Sequence, residues 1–342
     1  MTRRLAVSAC SLLLVIVFFT TGCSDDTERR VGTLSGSTMG TTWSVTFTGT
    51  PRGGVPAFRE AIESALEKVN DEMSTYRENS ALSQFNASDA ETWHALPDGF
   101  LTVMQASIAL SEASQGYFDV TVGPLVNLWG FGPDGRRNQA PDQDMIDQRL
   151  QRVGWQQLVL EDGRLYQPGG LYVDLSAIAK GYGVDQVMDV ATAAGLRNAL
   201  VDIGGDLRAM GHRPDGQPWR IGIEKPEAGV RDIAMIVGVD NVALVSSGDY
   251  RNFFEDNGEW YSHTIDPTTG YPVTHQLASV TVVHPDSAML ADGHATAILA
   301  MGPEKGLRYA EDNELAVLLI VRTNKGPEFI TTPQFKPFIL EH

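Results

Sequence analysis

Asp292 and Thr296 stand four residues apart in the run Ala291-Asp-Gly-His-Ala-Thr-Ala-Ile-Leu-Ala300. The run reads as helix, so a carboxylate and a hydroxyl project from one face a turn apart. Both are hard oxygen ligands of the kind magnesium accepts. Far upstream, Asp174-Leu-Ser-Ala-Ile-Ala-Lys180 runs into Gly-Tyr-Gly-Val-Asp185. An acid, a turn of small residues and a lysine at the start of a second helical pattern are what a phosphate-binding element requires. The carbonyl of Ala177, beside Asp174, is a candidate neutral metal ligand. Together the two stretches suggest a metal next to a phosphate.

Other stretches suit a planar ligand. Met39, in Ser37-Thr-Met-Gly-Thr-Thr42, can lie against a flat ring where Gly40 lets backbone approach, or fill a turn as a core residue. Tyr76, closing Met73-Ser-Thr-Tyr, either stacks on an aromatic ligand or packs at a helix end. Gly116 to Gly132 is punctuated by glycine and aromatic residues, a composition that builds a wall around a heterocycle or ordinary irregular core. Within it Asp119 is the polar group expected to face a ligand. His263, three residues before Asp266, titrates near neutral pH and is the candidate proton acceptor, oriented by a nearby acid. A lone histidine also serves structure, and Asp292 with Thr296 also reads as a buried polar pair on an alanine-rich helix.

These residues need elements to position them. Trp43, Val45 and Phe47 alternate with small polar residues over Thr41–Thr48, the period of a half-buried strand. Phe58, Ile62, Leu66, Val69 and Met73 recur at helical spacing. Further helices are expected at Phe100–Ser114, Asp144–Val153, Ala179–Ala194 and Ser287–Met301. Strands are expected at Gln157–Leu160, Ala199–Ile203, Trp219–Ile223, Ile233–Val239, Ala243–Ser246, Ser279–Val283 and Leu315–Val321. Strands outnumber helices and often follow one another directly, so the pattern predicts an α+β fold with mainly antiparallel sheet. Gly204-Gly205-Asp206 follows a strand but lacks the third spaced glycine and the following helix of a dinucleotide fingerprint.

The chain begins with Arg3 and Arg4, an apolar run from Leu5 to Phe19, and Thr20-Thr-Gly-Cys23. Residues 1–22 read as a secretory leader, too short for a membrane span, and its small-small-Cys ending resembles a lipobox that would lipidate Cys23. Residues 23–31 would be a tether and 32–342 one catalytic domain, held on the periplasmic side of the bacterial inner membrane by the lipid. Both cysteines, Cys10 and Cys23, lie in or at the end of the leader, so the domain uses no disulfide or thiolate. A net charge of −17 disfavours nucleic acid as partner. An anionic ligand therefore needs local positive charge or a metal.

In order along the chain, these motifs resemble the FAD:protein FMN transferases of the ApbE type. The points of likeness are Met39-Gly-Thr41, Met73-Ser-Thr-Tyr76, Phe118-Asp-Val-Thr-Val-Gly-Pro124, Asp174 to Asp185, Gly204-Gly-Asp206, Ser247-Gly-Asp-Tyr250, His263-Thr-Ile-Asp-Pro267 with Gly270, and Ala291-Asp to Thr296. The resemblance implies a T-fold-like α+β architecture, FAD as donor, magnesium as cofactor, and a threonine or serine of a flavin-acceptor subunit of a membrane redox complex as acceptor. It implies FAD contacts from Met39, Tyr76, Tyr117, Phe118, Asp119, Asp174, Lys180 and Ile265. It puts the metal on the Ala177 backbone, Asp292, Thr296 and the Ala295 carbonyl, with His263 as base and Lys180 beside the phosphates. Two departures from the family pattern stand out. Gly293-His294 replaces a small apolar pair, which loosens the helix and adds His294 as a rival ligand, and Asp202 replaces an asparagine. The same apparatus would also suit a magnesium-dependent FAD pyrophosphatase giving FMN and AMP, or an FAD-binding envelope lipoprotein.

Overall fold

The computed structural model describes residues 31–226, 232–250 and 252–341; the leader and Cys23 lie outside them. Eight antiparallel strands form the central sheet, each beside its predecessor: β1 Val31–Thr38, β2 Thr41–Thr48, β3 Ala199–Ile203, β4 Asp206–Met210, β5 Ala243–Gly248, β6 Leu277–His284, β7 Ala316–Thr323 and β8 Gly326–Thr331. The two-residue period of these strands divides their side chains between two cores. Val245, Val280, Val282, Val317 and Leu319 join one, whereas Leu244, Val283, Leu318 and Ile320 join the other.

Helices cover the first face. They are α1 Gly54–Met73, α2 Asp98–Ala113, α3 Ala179–Ala193, α4 Ala288–Met301 and α5 Pro303–Asp312, with α2 in an adjoining core that also holds Phe118, Val173 and Ile178. The opposite face is covered by a three-stranded sheet of Trp219–Glu224, Ile233–Val239 and Ile339–Glu341, which contributes Trp219, Ile223, Met235 and Val237. The fold is α+β and mainly antiparallel, as the alternation of apolar residues implies. One expected strand differs: residues 155–157 form a 3₁₀ turn, and pairing begins only at Leu160–Glu161. There Gly154, with φ 152°, turns the chain before the strand can start.

Strand β1 carries no apolar alternation, yet it pairs along its whole length with β2. Its glycines explain this, because the rings of Phe47 and Trp43 lie where side chains at Gly32 and Gly36 would project. The hairpin turns at Met39 and Gly40, with φ 47° and 70°, the left-handed pair that a two-residue turn demands.

The helices α3 and α4 approach so closely that a Cβ at Gly181 would overlap the carbonyl of Ala288. A carboxylate from each helix caps the other. Asp185 of α3 accepts from the backbone N–H groups of Ala288 (2.9 Å) and Met289 (3.1 Å), from the Ser287 hydroxyl (2.8 Å) and from Arg208 (2.8 Å). Asp292 of α4 accepts from the Gly181 N–H at 3.0 Å. Hydrogen bonds to a charged group contribute about 1.5–3 kcal/mol each, and buried ones are costly to leave unmade. Asp185→Ala is therefore expected to cost about 3 kcal/mol or more in urea unfolding, measured as a lower midpoint at unchanged slope.

Candidate active site

A cleft of about 780 Å³ opens where the two faces of the sheet meet the α3–α4 pair. Its cause is visible in the strand register. The ladder between β4 and β5 runs through Arg208 with Ala243 and ends at Leu207 with Leu244, so the stretch of β5 from Val245 onward has no register partner on β4. Asp174, Ala177, Lys180, Asp292 and Thr296 line one wall of the cleft, with Met39 and Tyr76 beside them and His263 and Ile265 also on its surface. The residues that sequence spacing placed next to a metal and a phosphate are thus brought together from α3, the segment just before it, and α4.

The donor set follows from the clamp. In a continuous helix the N–H of Gly181 would return to the carbonyl of Ala177 four residues earlier. It donates instead to Asp292, and among the described residues no hydrogen bond takes the Ala177 carbonyl. That carbonyl, the Asp292 carboxylate and the Thr296 hydroxyl, a turn apart on α4, are hard oxygen donors on one cleft wall. Burial drives the Asp292 carboxyl well above the usual carboxylate range, and the charge of Asp206 adds to this against Lys180 and the Gly181 N–H. A buried carboxylate short of counter-charge beside neutral oxygen donors fits a divalent cation. Among the described residues no group of three or more His, Cys, Asp or Glu is placed to hold a metal, so the donors would be this mixed set.

Lys180 ion-pairs with Asp206, which is 1% exposed at the start of β4. Burial pulls the Lys180 ammonium down, but Asp206 and Asp292 outweigh it and the lysine stays charged. Asp206 is the partner that spacing did not reveal. Gly204 and Gly205, with φ 60° and 98°, form the tight turn that swings it beneath Lys180.

His263 lines the far side of the cleft. Its Nδ1 lies 3.1 Å from the carbonyl of Asn252, and its own N–H donates to the same oxygen at 3.0 Å. A carbonyl only accepts, so Nδ1 carries the proton and Nε2 keeps a free lone pair. Burial lowers the imidazole below its ordinary value of 6.5, with Asn252 and the Asp249 charge opposing. The expected orienting acid is thus replaced by a main-chain oxygen. Asp266 is spent on the N–H and hydroxyl of Thr268 (2.8 and 2.7 Å), and Asp249 on Arg322 (2.7 Å).

Four of the expected site residues do not line the cleft. Tyr117, Phe118 and Asp119 are not among the residues lining the cleft. Tyr117 takes a hydrogen bond from Lys305 at 2.6 Å, Phe118 is 1% exposed in the core, and Asp119 accepts from Thr121 and the Trp155 N–H. Their segment reaches the cleft through Val122 and Val126. Ala295 is fully buried and off the cleft, and in mid-helix its carbonyl belongs to the backbone ladder. His294 faces away from the metal donors: its Nδ1 lies 2.9 Å from the Tyr309 hydroxyl, and burial lowers it to about 4.

A model of the ApbE family matches residues 39–319. The FAD:protein FMN transferase of Vibrio cholerae is 43% identical over 339 residues, covering 98% of this chain and 99% of the relative. That of Haemophilus influenzae is 43% identical over 316 residues, covering 89% and 90%. Among solved structures, flavin transferase ApbE from Vibrio cholerae has a TM-score of 0.84 at 43% identity, covering 90% of this chain and 100% of that one. This chain belongs to the ApbE family. Its relatives are named as transferases, and it is an enzyme of that class.

Both of its departures from the ApbE pattern have a local reason. A Cβ at Gly293 would overlap Leu110 of α2, so the glycine lets α2 and α4 pack in contact instead of loosening the helix. Asp202 accepts the Gly205 N–H at 2.9 Å through Oδ1, an atom an asparagine also has. Asp202→Asn is expected to keep the thermal midpoint, whereas Asp202→Ala should lose about 1 kcal/mol through the freed Gly205 N–H. A calorimetric comparison of the two variants decides this.

Proposed function

We propose that the protein transfers the FMN moiety of FAD, with magnesium, to a threonine or serine hydroxyl of a flavin-bearing subunit of a membrane redox complex, and releases AMP. The names of its relatives support the donor and the group moved. The single observation that supports the rest is the convergence of Asp292, Thr296 and the released Ala177 carbonyl beside Lys180, with Nε2 of His263 on the same cleft.

Magnesium held by those three oxygens would supply positive charge that offsets the diphosphate. The chain's own groups do the remaining work. Lys180, kept charged by Asp206, holds a diphosphate oxygen at the cleft wall. Met39 and Tyr76 offer a thioether and a ring face to the flat parts of FAD, and Tyr76, 71% exposed, is free to stack. His263 accepts the hydroxyl proton at Nε2 while the acceptor oxygen bonds to the FMN phosphorus. The bond from that phosphorus to the bridging oxygen breaks, and AMP leaves with the oxygen. The lipobox-like leader supports anchoring through Cys23 on the periplasmic side of the inner membrane, where subunits of membrane redox complexes would be met.

Two measurements test this reading. Purified protein mixed with FAD, magnesium and an acceptor subunit should yield a covalent FMN adduct by mass spectrometry, and Asp292→Ala should lower its rate about 100-fold or more. A variant as fast as the parent, or FMN and AMP accumulating rapidly without acceptor, removes the reading. The second is pH. Only neutral imidazole accepts a proton, and a lowered pKa keeps it neutral further into acid. At saturating magnesium, kcat/KM should therefore hold through 6.5 and fall only below it; an acid limb above 6.5 would exclude His263 as base.

A further inference from the structure

Asp202 lines the cleft from β3, and the turn at Gly204 and Gly205 separates it from Asp206. One of its carboxylate oxygens has a structural task, since Oδ1 accepts the Gly205 N–H at 2.9 Å and braces that turn. Among the described residues its carboxylate makes no other hydrogen bond and no ion pair. The turn needs an acceptor there but no charge, so the negative charge of Asp202 is surplus to the fold. Strand alternation puts Val201 and Ile203 toward the helices and Leu200 with Asp202 on the opposite face, so this acid reaches the cleft from the side away from α3. Its charge is nonetheless felt where a diphosphate would lie. Burial pulls the Lys180 ammonium down, Asp206 and Asp292 outweigh it, and Asp202 adds to them. Burial raises the Asp206 carboxyl, Lys180 opposes this, and Asp202 adds to the rise.

An anion approaching Lys180 thus meets the carboxylates of Asp202, Asp206 and Asp292 against one ammonium. On the remaining lining Asp174 is a further acid, while Arg220 and Glu224 carry opposite formal charges. We infer that Asp202 is a specificity-determining residue of the donor site, whose spare charge makes the binding of FAD conditional on the divalent cation. The inference rests on the reading of FAD and magnesium given above. Without the cation, Asp202 repels the diphosphate through space. With it, the diphosphate arrives largely neutralised, and the same carboxylate attracts the cation instead of opposing the donor. Coupling between two ligands is reciprocal, so Asp202 draws the cation in by as much as it makes FAD wait for it. Asp202 needs no bond to either ligand for this. A unit charge several ångströms from a diphosphate, in a cleft open to solvent, changes its affinity by about tenfold.

Flavin fluorescence titrations of the full chain, in excess magnesium and in EDTA, give the Kd for FAD in each state. Asp202→Asn keeps the acceptor that Gly205 needs and removes only the charge. It should bind FAD about tenfold more tightly than the parent in EDTA and within about twofold of it in magnesium, so the dependence of FAD binding on the metal falls about tenfold. The difference in EDTA should shrink as NaCl is added, because a charge acting across an open cleft is screened. Riboflavin, which carries no phosphate, should bind the two proteins alike. An unchanged metal dependence in Asp202→Asn, a difference indifferent to salt, or an equal effect on riboflavin overturns the inference. If neither protein binds FAD in magnesium, the donor reading falls and the inference with it, whereas FAD binding in magnesium with unchanged coupling removes the inference alone. Should Asp202→Asn fail to fold, the parent in EDTA decides: net repulsion requires its affinity for FAD to rise with salt, and a fall overturns the inference.

Discussion

The structure depends on the exchange of carboxylates between α3 and α4. Each helix lends an acid to the other, Asp185 to the start of α4 and Asp292 to the start of α3. Four N–H groups at the start of any helix have no partner within it, and such ends favour negative charge. Both helices here solve that problem with a side chain from their neighbour. The exchange is possible only at the separation that Gly181 permits, where a methyl group would overlap the Ala288 carbonyl. The consequence for chemistry is indirect: Asp292 takes the N–H that Ala177 would have used, and a main-chain oxygen is released into the cleft.

The cleft that results is short of positive charge. Lys180 must answer both Asp206 and Asp292, and the two carboxylates stand in surroundings that burial has made inhospitable to them. A diphosphate entering such a place would add to the negative charge. A cation brought in from solution would relieve that shortage, and the hard oxygen donors of the proposed reading lie on the same cleft.

Much of this was legible in the chain because it is written in local spacing. The strands Thr41–Thr48, Ala199–Ile203 and Ile233–Val239 and the helix beginning at Ala179 have the bounds that their apolar periods indicate. Asp292, Thr296, Lys180 and Ala177 were found because each pairing lies within one helical turn or one segment. What escaped was non-local. Strand β1 shows no apolar rhythm, since its contribution is the space at Gly32 and Gly36 into which rings from β2 fit. The role of Asp206 arises from a glycine turn that brings the next strand beneath Lys180. Phe118 and Asp119 stayed ambiguous for a related reason, because an aromatic residue beside an acid describes a buried, self-satisfied turn as well as a ligand wall.

His263 shows how a fold can choose availability over basicity. A carboxylate partner would have raised the imidazole and made it a stronger base, but one protonated for more of the time at neutral pH. The Asn252 carbonyl orients the ring just as firmly and fixes the same tautomer without bringing a charge. Burial then pushes the pKa down, so the lone pair on Nε2 stays free. In a cleft already crowded with negative charge this has a second benefit. A further acid there would repel the diphosphate, and both nearby candidates, Asp249 and Asp266, are turned to structural use by Arg322 and Thr268. His263 is thus held by a neutral group that positions its ring without adding to the negative charge of the cleft.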